Sequence, residues 1–152
     1  MHARKRKSRF ILIVITLFTL ILSTTIAFAG HSYGSKMKFS AGTKSYTGQS
    51  YVFTNTWAYA YQRTCCNSSE AQSGWLGNKA RLYYSSGTLK GSSSWNYNSS
   101  KKSKGSYLLN TWGYDSPKNS SFYSKGESKG WNTKSSSYTT KPTPKSPNQT
   151  SD

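Results

Sequence analysis

Isoleucine does not occur beyond Ala29, valine occurs there once as Val52, and five leucines complete the branched aliphatic side chains of that stretch. Without such residues the apolar stripes of a helical bundle cannot be lined, so an all-α fold is not expected. Acidic residues are as scarce: Glu70, Asp115, Glu127 and Asp152 are the only ones in the chain. Histidine occurs twice, at His2 and His31, which leaves no well-placed histidine for a triad between a nucleophile and a carboxylate. Glu70 and Glu127 could form a glycosidase pair only if folding brought them together, and both stand in serine-rich segments among lysines, as solvated surface charges do. Most hydrolytic mechanisms therefore lack their parts, and a non-enzymatic protein without a cofactor is expected. A length of 152 residues supports one domain at most, which also excludes a separate cofactor-binding domain.

Cysteine is limited to the neighbours Cys65 and Cys66. No long loop can be stapled by such a pair, and three readings stay open. The two are small, partly buried residues at a strand end, or they form a vicinal disulfide that stiffens the turn before Asn67-Ser68-Ser69, or they serve an intermolecular bond or a metal. The second is strained, because adjacent Cα atoms are closer than disulfide geometry prefers. The spacing is poor for zinc, whose paired ligands are ordinarily separated by two to four residues, so no metal centre is expected.

The apolar residues that do exist are concentrated near the start. Every isoleucine falls within residues 10–29, behind Arg4, Lys5, Arg6, Lys7 and Arg9. The uncharged run from Phe10 to Leu22 gives way to Ser23-Thr24-Thr25 and then to Ala27-Phe28-Ala29 before Gly30. This is the order of a secretory signal peptide, with Ala27 and Ala29 in the positions a signal peptidase reads and Gly30 as the new N-terminus. A retained signal anchor is the competing reading, since the run is about long enough to cross a bilayer. Cleavage is favoured by the polar stretch and the Ala-x-Ala site, and it leaves no membrane span in the mature chain. Residues 1–29 are thus assigned to export and the protein to the extracellular space or the cell surface. Of the 21 Lys and Arg, five leave with the signal, so the mature chain sets 16 against 4 acids and its charge falls from +17 to +12.

Five Trp, twelve Tyr and three Phe lie beyond Ala29. Low aliphatic content reads as disorder, but each of these aromatics can bury roughly 150 to 250 Å². The expectation is an all-β domain over residues 30–140, a small antiparallel β-sandwich or barrel-like sandwich with an aromatic core. Its best strand is Ser50 to Arg63, where Tyr51, Phe53, Trp57, Tyr59 and Tyr61 share one parity and Val52, Thr54, Thr56, Ala58 and Ala60 the other, giving one bulky and one small face. Further strands are expected at 36–40, 43–46, 78–84, 92–98, 106–114, 122–126 and 136–140. The turn signals Ser86-Gly87, Lys104-Gly105, Asp115-Ser116-Pro117 and Lys129-Gly130 punctuate them. Asn55-Thr56-Trp57-Ala58-Tyr59 matches Asn110-Thr111-Trp112-Gly113-Tyr114, by duplication or by composition bias. Residues 141–152, with three prolines, read as a solvated flexible tail or as a last edge segment.

The remaining feature is a cationic, aromatic surface. Such a field attracts polyanions and is screened by salt, while Trp and Tyr among Ser and Lys suit sugar rings. Candidate ligand contacts are Trp75, Lys79, Arg81, Trp95, Tyr97, Lys101, Lys102, Lys104 and Trp131. The expected partner is an anionic envelope polymer or a lipid-linked precursor. An uncharged glycan, bound by an extracellular or matrix module, is the alternative, and nucleic acid is disfavoured by export. Asn67, Asn98, Asn119 and Asn148 each begin an Asn-x-Ser/Thr sequon, relevant only in a glycosylating pathway.

One stretch resembles a known family. Ser73-Gly74-Trp75, Asn78-Lys79-Ala80-Arg81, Leu89-Lys90 and Ser93-Ser94-Trp95-Asn96-Tyr97-Asn98 are similar to the closing half of the lactococcin 972 family of secreted bacteriocins. The resemblance covers about a quarter of the chain, which continues past the family's final aromatic strand through Tyr107, Trp112, Trp131 and Tyr138. It implies a signal peptide, a small antiparallel β-sandwich and action on Gram-positive envelopes through the cell-wall precursor lipid II.

Overall fold

The computed structural model describes residues 30–152. The expected signal segment, with Ala27 and Ala29, lies outside the described residues, and Gly30 opens the first strand. Among the described residues there are strands and no helix. In chain order the strands are β1 (Gly30–Tyr33), β2 (Met37–Ala41), β3 (Lys44–Thr54), β4 (Trp57–Cys66), β5 (Leu76–Lys79), β6 (Arg81–Tyr84) and β7 (Leu89–Ser92). They continue with β8 (Asn96–Tyr97), β9 (Leu108–Asp115), β10 (Ser121–Ser124), β11 (Glu127–Asn132), β12 (Ser137–Pro142) and β13 (Gln149–Thr150).

These strands make three antiparallel sheets. The largest has the order β1-β3-β4-β9, with β2 pairing the other half of β3. The other two have the orders β13-β10-β6-β7 and β12-β11-β5-β8, which correspond strand for strand. β5 runs into β6 through Ala80, and β10 runs into β11 through Lys125 and Gly126. The two short sheets thus form one kinked layer, and the large sheet packs across both. Gly126 sits at the kink where no side chain fits: a Cβ there would lie 2.5 Å from the Lys79 carbonyl oxygen.

The expected strand from Ser50 to Arg63 is a hairpin. It reverses at Asn55 and Thr56, where the Asn55 side-chain oxygen accepts the Trp57 N–H at 2.7 Å and the Asn55 N–H donates to the Trp57 carbonyl at 2.9 Å. The parity survives the turn, because Phe53 faces Tyr59 and Tyr51 faces Tyr61 across the strands. The aromatic face therefore exists, but it points away from the second layer. Its rings stack from strand to strand, Tyr33 on Tyr51 at 4.8 Å and Tyr51 on Tyr61 at 4.7 Å between centroids. Arg63 lies over Tyr107 at 4.6 Å and over Tyr33 at 5.3 Å, and its Nε donates to Gln49 at 2.8 Å.

The small face of the hairpin is the one turned to the second layer, and the buried aromatics of the core are Phe39, Tyr46 and Phe122. Along β4 the inward residues read Ala58, Ala60, Gln62, Thr64 and Cys66, all buried. Small side chains let the second layer approach, and Phe122 and Leu82 pack with Val52, Ala58, Ala60 and Ala80 in one apolar cluster. A second cluster gathers Phe39, Tyr46, Cys66, Leu76 and Leu108. Between them runs a polar seam, in which Ser50 Oγ donates to Gln62 Oε1 at 2.6 Å and Gln62 Nε2 to Ser128 Oγ at 2.9 Å. Ser128 Oγ also meets Thr64 Oγ1 at 2.7 Å. Buried polar groups cost stability where they lack partners, and in this seam the hydroxyls and the Gln62 amide bond one another. None of the five tryptophans is buried.

Two further expectations are corrected. Residues 141–152 are not a solvated tail: Lys141 and Pro142 end β12, Gln149 and Thr150 pair with β10, and the side chains of Thr143, Ser146 and Ser151 are buried. Serine and threonine between the prolines supply hydrogen bonds that hold this segment down. Thr143 Oγ1 joins the polar seam at 3.1 Å from Gln62 Oε1, and Ser146 Oγ accepts the Ser124 N–H at 2.9 Å. Secondly, Lys129-Gly130 is no turn but the middle of β11. The glycine is there because the Tyr46 ring lies on it, with Cδ2 2.5 Å from where a Cβ would stand. The matched pentapeptides are not equivalent in space, since Trp57 lies on the outer face and Trp112 packs against the inner Phe122 cluster.

Candidate functional site

On β11 residues Lys129 and Trp131 are two apart and share a face, and that face is the outer one of the β12-β11-β5-β8 sheet. Register places Trp131 opposite Tyr138 and Lys129 opposite Gly77, which in turn faces Tyr97 on β8. Gly77 leaves room for the neighbouring ring: a Cβ there would stand 2.9 Å from Tyr97 Cε1. The Lys129 ammonium settles among aromatics, 3.8 Å from the Trp95 ring centroid and 5.4 Å from that of Tyr138, and it donates to the Tyr97 hydroxyl at 3.0 Å. An ammonium has three donors, so this bond leaves two for a ligand. Burial, then the nearby Tyr97, pushes the Tyr138 phenol above its ordinary value.

Beside this ammonium a pocket of about 210 Å³ is lined by Ser73, Gly74, Trp75, Trp131 and Tyr138. Its walls are fixed by backbone. The Trp131 N–H donates to the Trp75 carbonyl at 2.9 Å, and the Trp131 carbonyl accepts the Tyr46 hydroxyl at 2.8 Å. The Tyr138 hydroxyl donates to the Gly74 carbonyl. Gly74 has a φ of 78°, a left-handed turn that suits glycine. Asn98 holds the turn from below: its Oδ1 accepts the Leu76 N–H at 2.8 Å and its Nδ2 donates to the Gln72 carbonyl at 2.7 Å. That amide, 2% exposed, is a structural staple, and its sequon is closed to a glycosylating enzyme in the folded chain.

Of the residues singled out in the sequence, Trp75, Trp95, Tyr97 and Trp131 meet here. Lys79 stands on the same outer face one register row further, opposite Glu127, and Glu127 pairs with Arg81 at 2.6 Å. Arg81 is therefore neutralised by its partner. Lys101, Lys102 and Lys104 do not join the aromatic face. They ride on the segment after β8, where Lys101 pairs with Glu70 and Lys102 bridges Ala71 through its backbone. The Ser73 hydroxyl, donating to the Ser99 carbonyl at 2.9 Å, ties that segment to the pocket rim. Lys129 and Tyr138 stand outside the candidate contacts drawn from the sequence. Lys129 was hidden by the glycine that follows it, although its spacing from Trp131 was the available signal.

Cys65 and Cys66 are free thiols, both buried. As successive residues of β4 they project to opposite faces. Burial pushes the Cys65 thiol up; at Cys66 burial acts the same way, but hydrogen bonds from Ser68 and Ser69 outweigh it and lower the pKa. Among the described residues no three His, Cys, Asp or Glu gather as a metal site would require.

No protein-family model, curated protein or solved structure matches the chain.

Proposed function

We propose that the chain is a secreted, non-catalytic, cationic β-sandwich that binds an anionic component of a Gram-positive cell envelope, as a bacteriocin-like antagonist would. The observation that carries this reading is the Lys129 ammonium, 3.8 Å over Trp95 and beside the pocket of Trp75, Trp131 and Tyr138. A polymer or precursor that alternates sugar or polyol with phosphate needs two things of a site, an aromatic wall for the ring and a cation for the phosphate. Both are adjacent here. The mature charge of +12, 16 basic against 4 acidic residues, adds a long-range attraction that steers a polyanion and weakens with salt.

The test is retention of the protein on purified Gram-positive cell walls, with and without teichoic acid, over a salt series. Vesicles carrying a lipid-linked pyrophosphate form a parallel arm. Retention that falls with salt and with removal of the anionic polymer, or binding to the pyrophosphate vesicles, supports the reading. Indifference to salt, to teichoic acid and to the lipid together rejects it.

A further inference from the structure

We infer a second binding site, independent of the Lys129 face, on the outer side of the β3–β4 hairpin: a stacking surface for an uncharged glycan, centred on Trp57 and Tyr59. The two rings lie on one face of β4, within 22° of parallel and 6.2 Å between centroids. Trp57 is 43% exposed, and Tyr33 at the far edge of the same face is 49% exposed. Tyr59 leans over a glycine on the adjacent strand, since a Cβ at Gly113 would stand 2.6 Å from its Cε1. The ring is thereby seated on backbone, with Phe53 as its neighbour on the other side at 6.2 Å.

Charge selects the occupant. The cross-strand rows that carry these rings contain no lysine, in a chain with 21 Lys and Arg. Arg63, at one end, is held by Gln49 and covered by tyrosine rings. Directly across from Trp57 stands Asp115, whose carboxylate repels a phosphate-bearing polymer. A neutral sugar chain meets all of these conditions. The C–H face of a pyranose packs on Trp57 and Tyr59, and its hydroxyls find an acceptor in Asp115 and phenol groups further along the face. The site differs from the Lys129 pocket in sign of charge, in sheet and in expected salt response.

The experiment is retention of the purified protein on insoluble cellulose and chitin at low and at high salt, with sedimentation run alongside. The expected result is retention on at least one of the two that persists at high salt. It weakens about tenfold in Trp57→Ala and in Tyr59→Ala, as loss of one ring contact implies. The exposed Trp57 position keeps the urea midpoint of the Trp57→Ala variant close to that of the parent, and Trp57→Phe restores most of the retention. Absence of retention on both polymers, or retention that the two variants leave unchanged, overturns the inference. So does a dimer that Trp57→Ala dissociates, which gives the face to a second copy of the chain.

Discussion

The Lys129 ammonium lies 3.8 Å from the Trp95 centroid and 3.0 Å from the Tyr97 hydroxyl, so a flexible side chain is held upright on the sheet by a ring and a phenol. Such a contact is worth about 0.5 to 2 kcal/mol and lowers the entropy lost when an anion binds. Lys129→Ala is expected to weaken retention on teichoic-acid-bearing walls by about tenfold at low salt and to flatten its salt dependence. Lys129→Arg keeps most of the affinity, because a guanidinium also stacks on aromatic faces. Equal retention of the Ala variant and the parent removes this residue from the site.

How far the sequence carried these features depends on the residue. The strand character of the chain was legible, because period-two alternation and scarce aliphatics leave little else. The parity of Tyr51, Phe53, Tyr59 and Tyr61 was legible too, and it survived a turn that the sequence did not announce. Asn55-Thr56 lacks the glycine that marks most tight hairpins, and only the Asn55 side chain closing on the Trp57 N–H makes it work. Which face is buried was not legible. The inner face of β4 is Ala58 and Ala60, packed against Phe122 and Leu82, and Gln62 and Thr64, which join a polar seam with Ser128. A single chain cannot reveal such pairing, since Ser50, Gln62 and Ser128 are far apart in sequence. In the same way Trp75, Trp95, Tyr97 and Trp131 were visible as aromatics, while the gathering of Trp95 and Tyr97 around Lys129, beside the pocket of Trp75 and Trp131, required the register of β5, β8 and β11.

The C-terminal segment is predicted to hold the fold shut. Thr54 Oγ1 donates to the Thr150 carbonyl at 2.8 Å, the Ser146 N–H to the Ser124 carbonyl at 2.8 Å and the Ser151 N–H to the Ser120 carbonyl at 2.9 Å. A chain ending at Pro142 loses all of these and exposes β10 as an edge. At roughly 1 kcal/mol net per bond, the truncation is expected to cost about 3 kcal/mol or more. The urea midpoint measures it, and a midpoint matching the full chain returns residues 143–152 to the status of a solvated tail.

The two thiols test the register of β4. Cys65 pairs opposite Thr47 and Cys66 opposite Tyr46, and a bond between the sulfurs would have to break that ladder and turn one side chain through the strand. Without reductant, a thiol reagent is expected to leave the native protein unlabelled and to add two labels once denaturant is present. A denatured monomer that takes no label contains the vicinal disulfide instead.

Alkaline pH should loosen the pocket through Tyr46. Its ring is fully buried and its hydroxyl donates to the Trp131 carbonyl at 2.8 Å. Burial first, then the neighbouring Cys66, lifts its pKa well above the ordinary 10, more than the hydrogen bond to Trp131 lowers it. Burial also raises Tyr51, with Tyr33 and Tyr61 adding to the shift. Above pH 10 the unfolded chain therefore releases protons that the folded chain keeps. The unfolded state then binds fewer protons, and stability falls as pH rises, while below pH 10 these groups leave it unchanged. The urea midpoint is expected to be flat between about pH 8 and 9 and lower at about pH 11. Tyr46→Phe separates the two roles of the residue. It costs about 1 to 3 kcal/mol at neutral pH, because the Trp131 carbonyl loses its donor, and it makes the alkaline decline shallower, because one buried phenol no longer resists ionisation. A Phe variant whose alkaline decline is as steep as the parent's assigns the effect to the remaining tyrosines, and the link between Tyr46 and the Trp131 wall then carries no pH dependence.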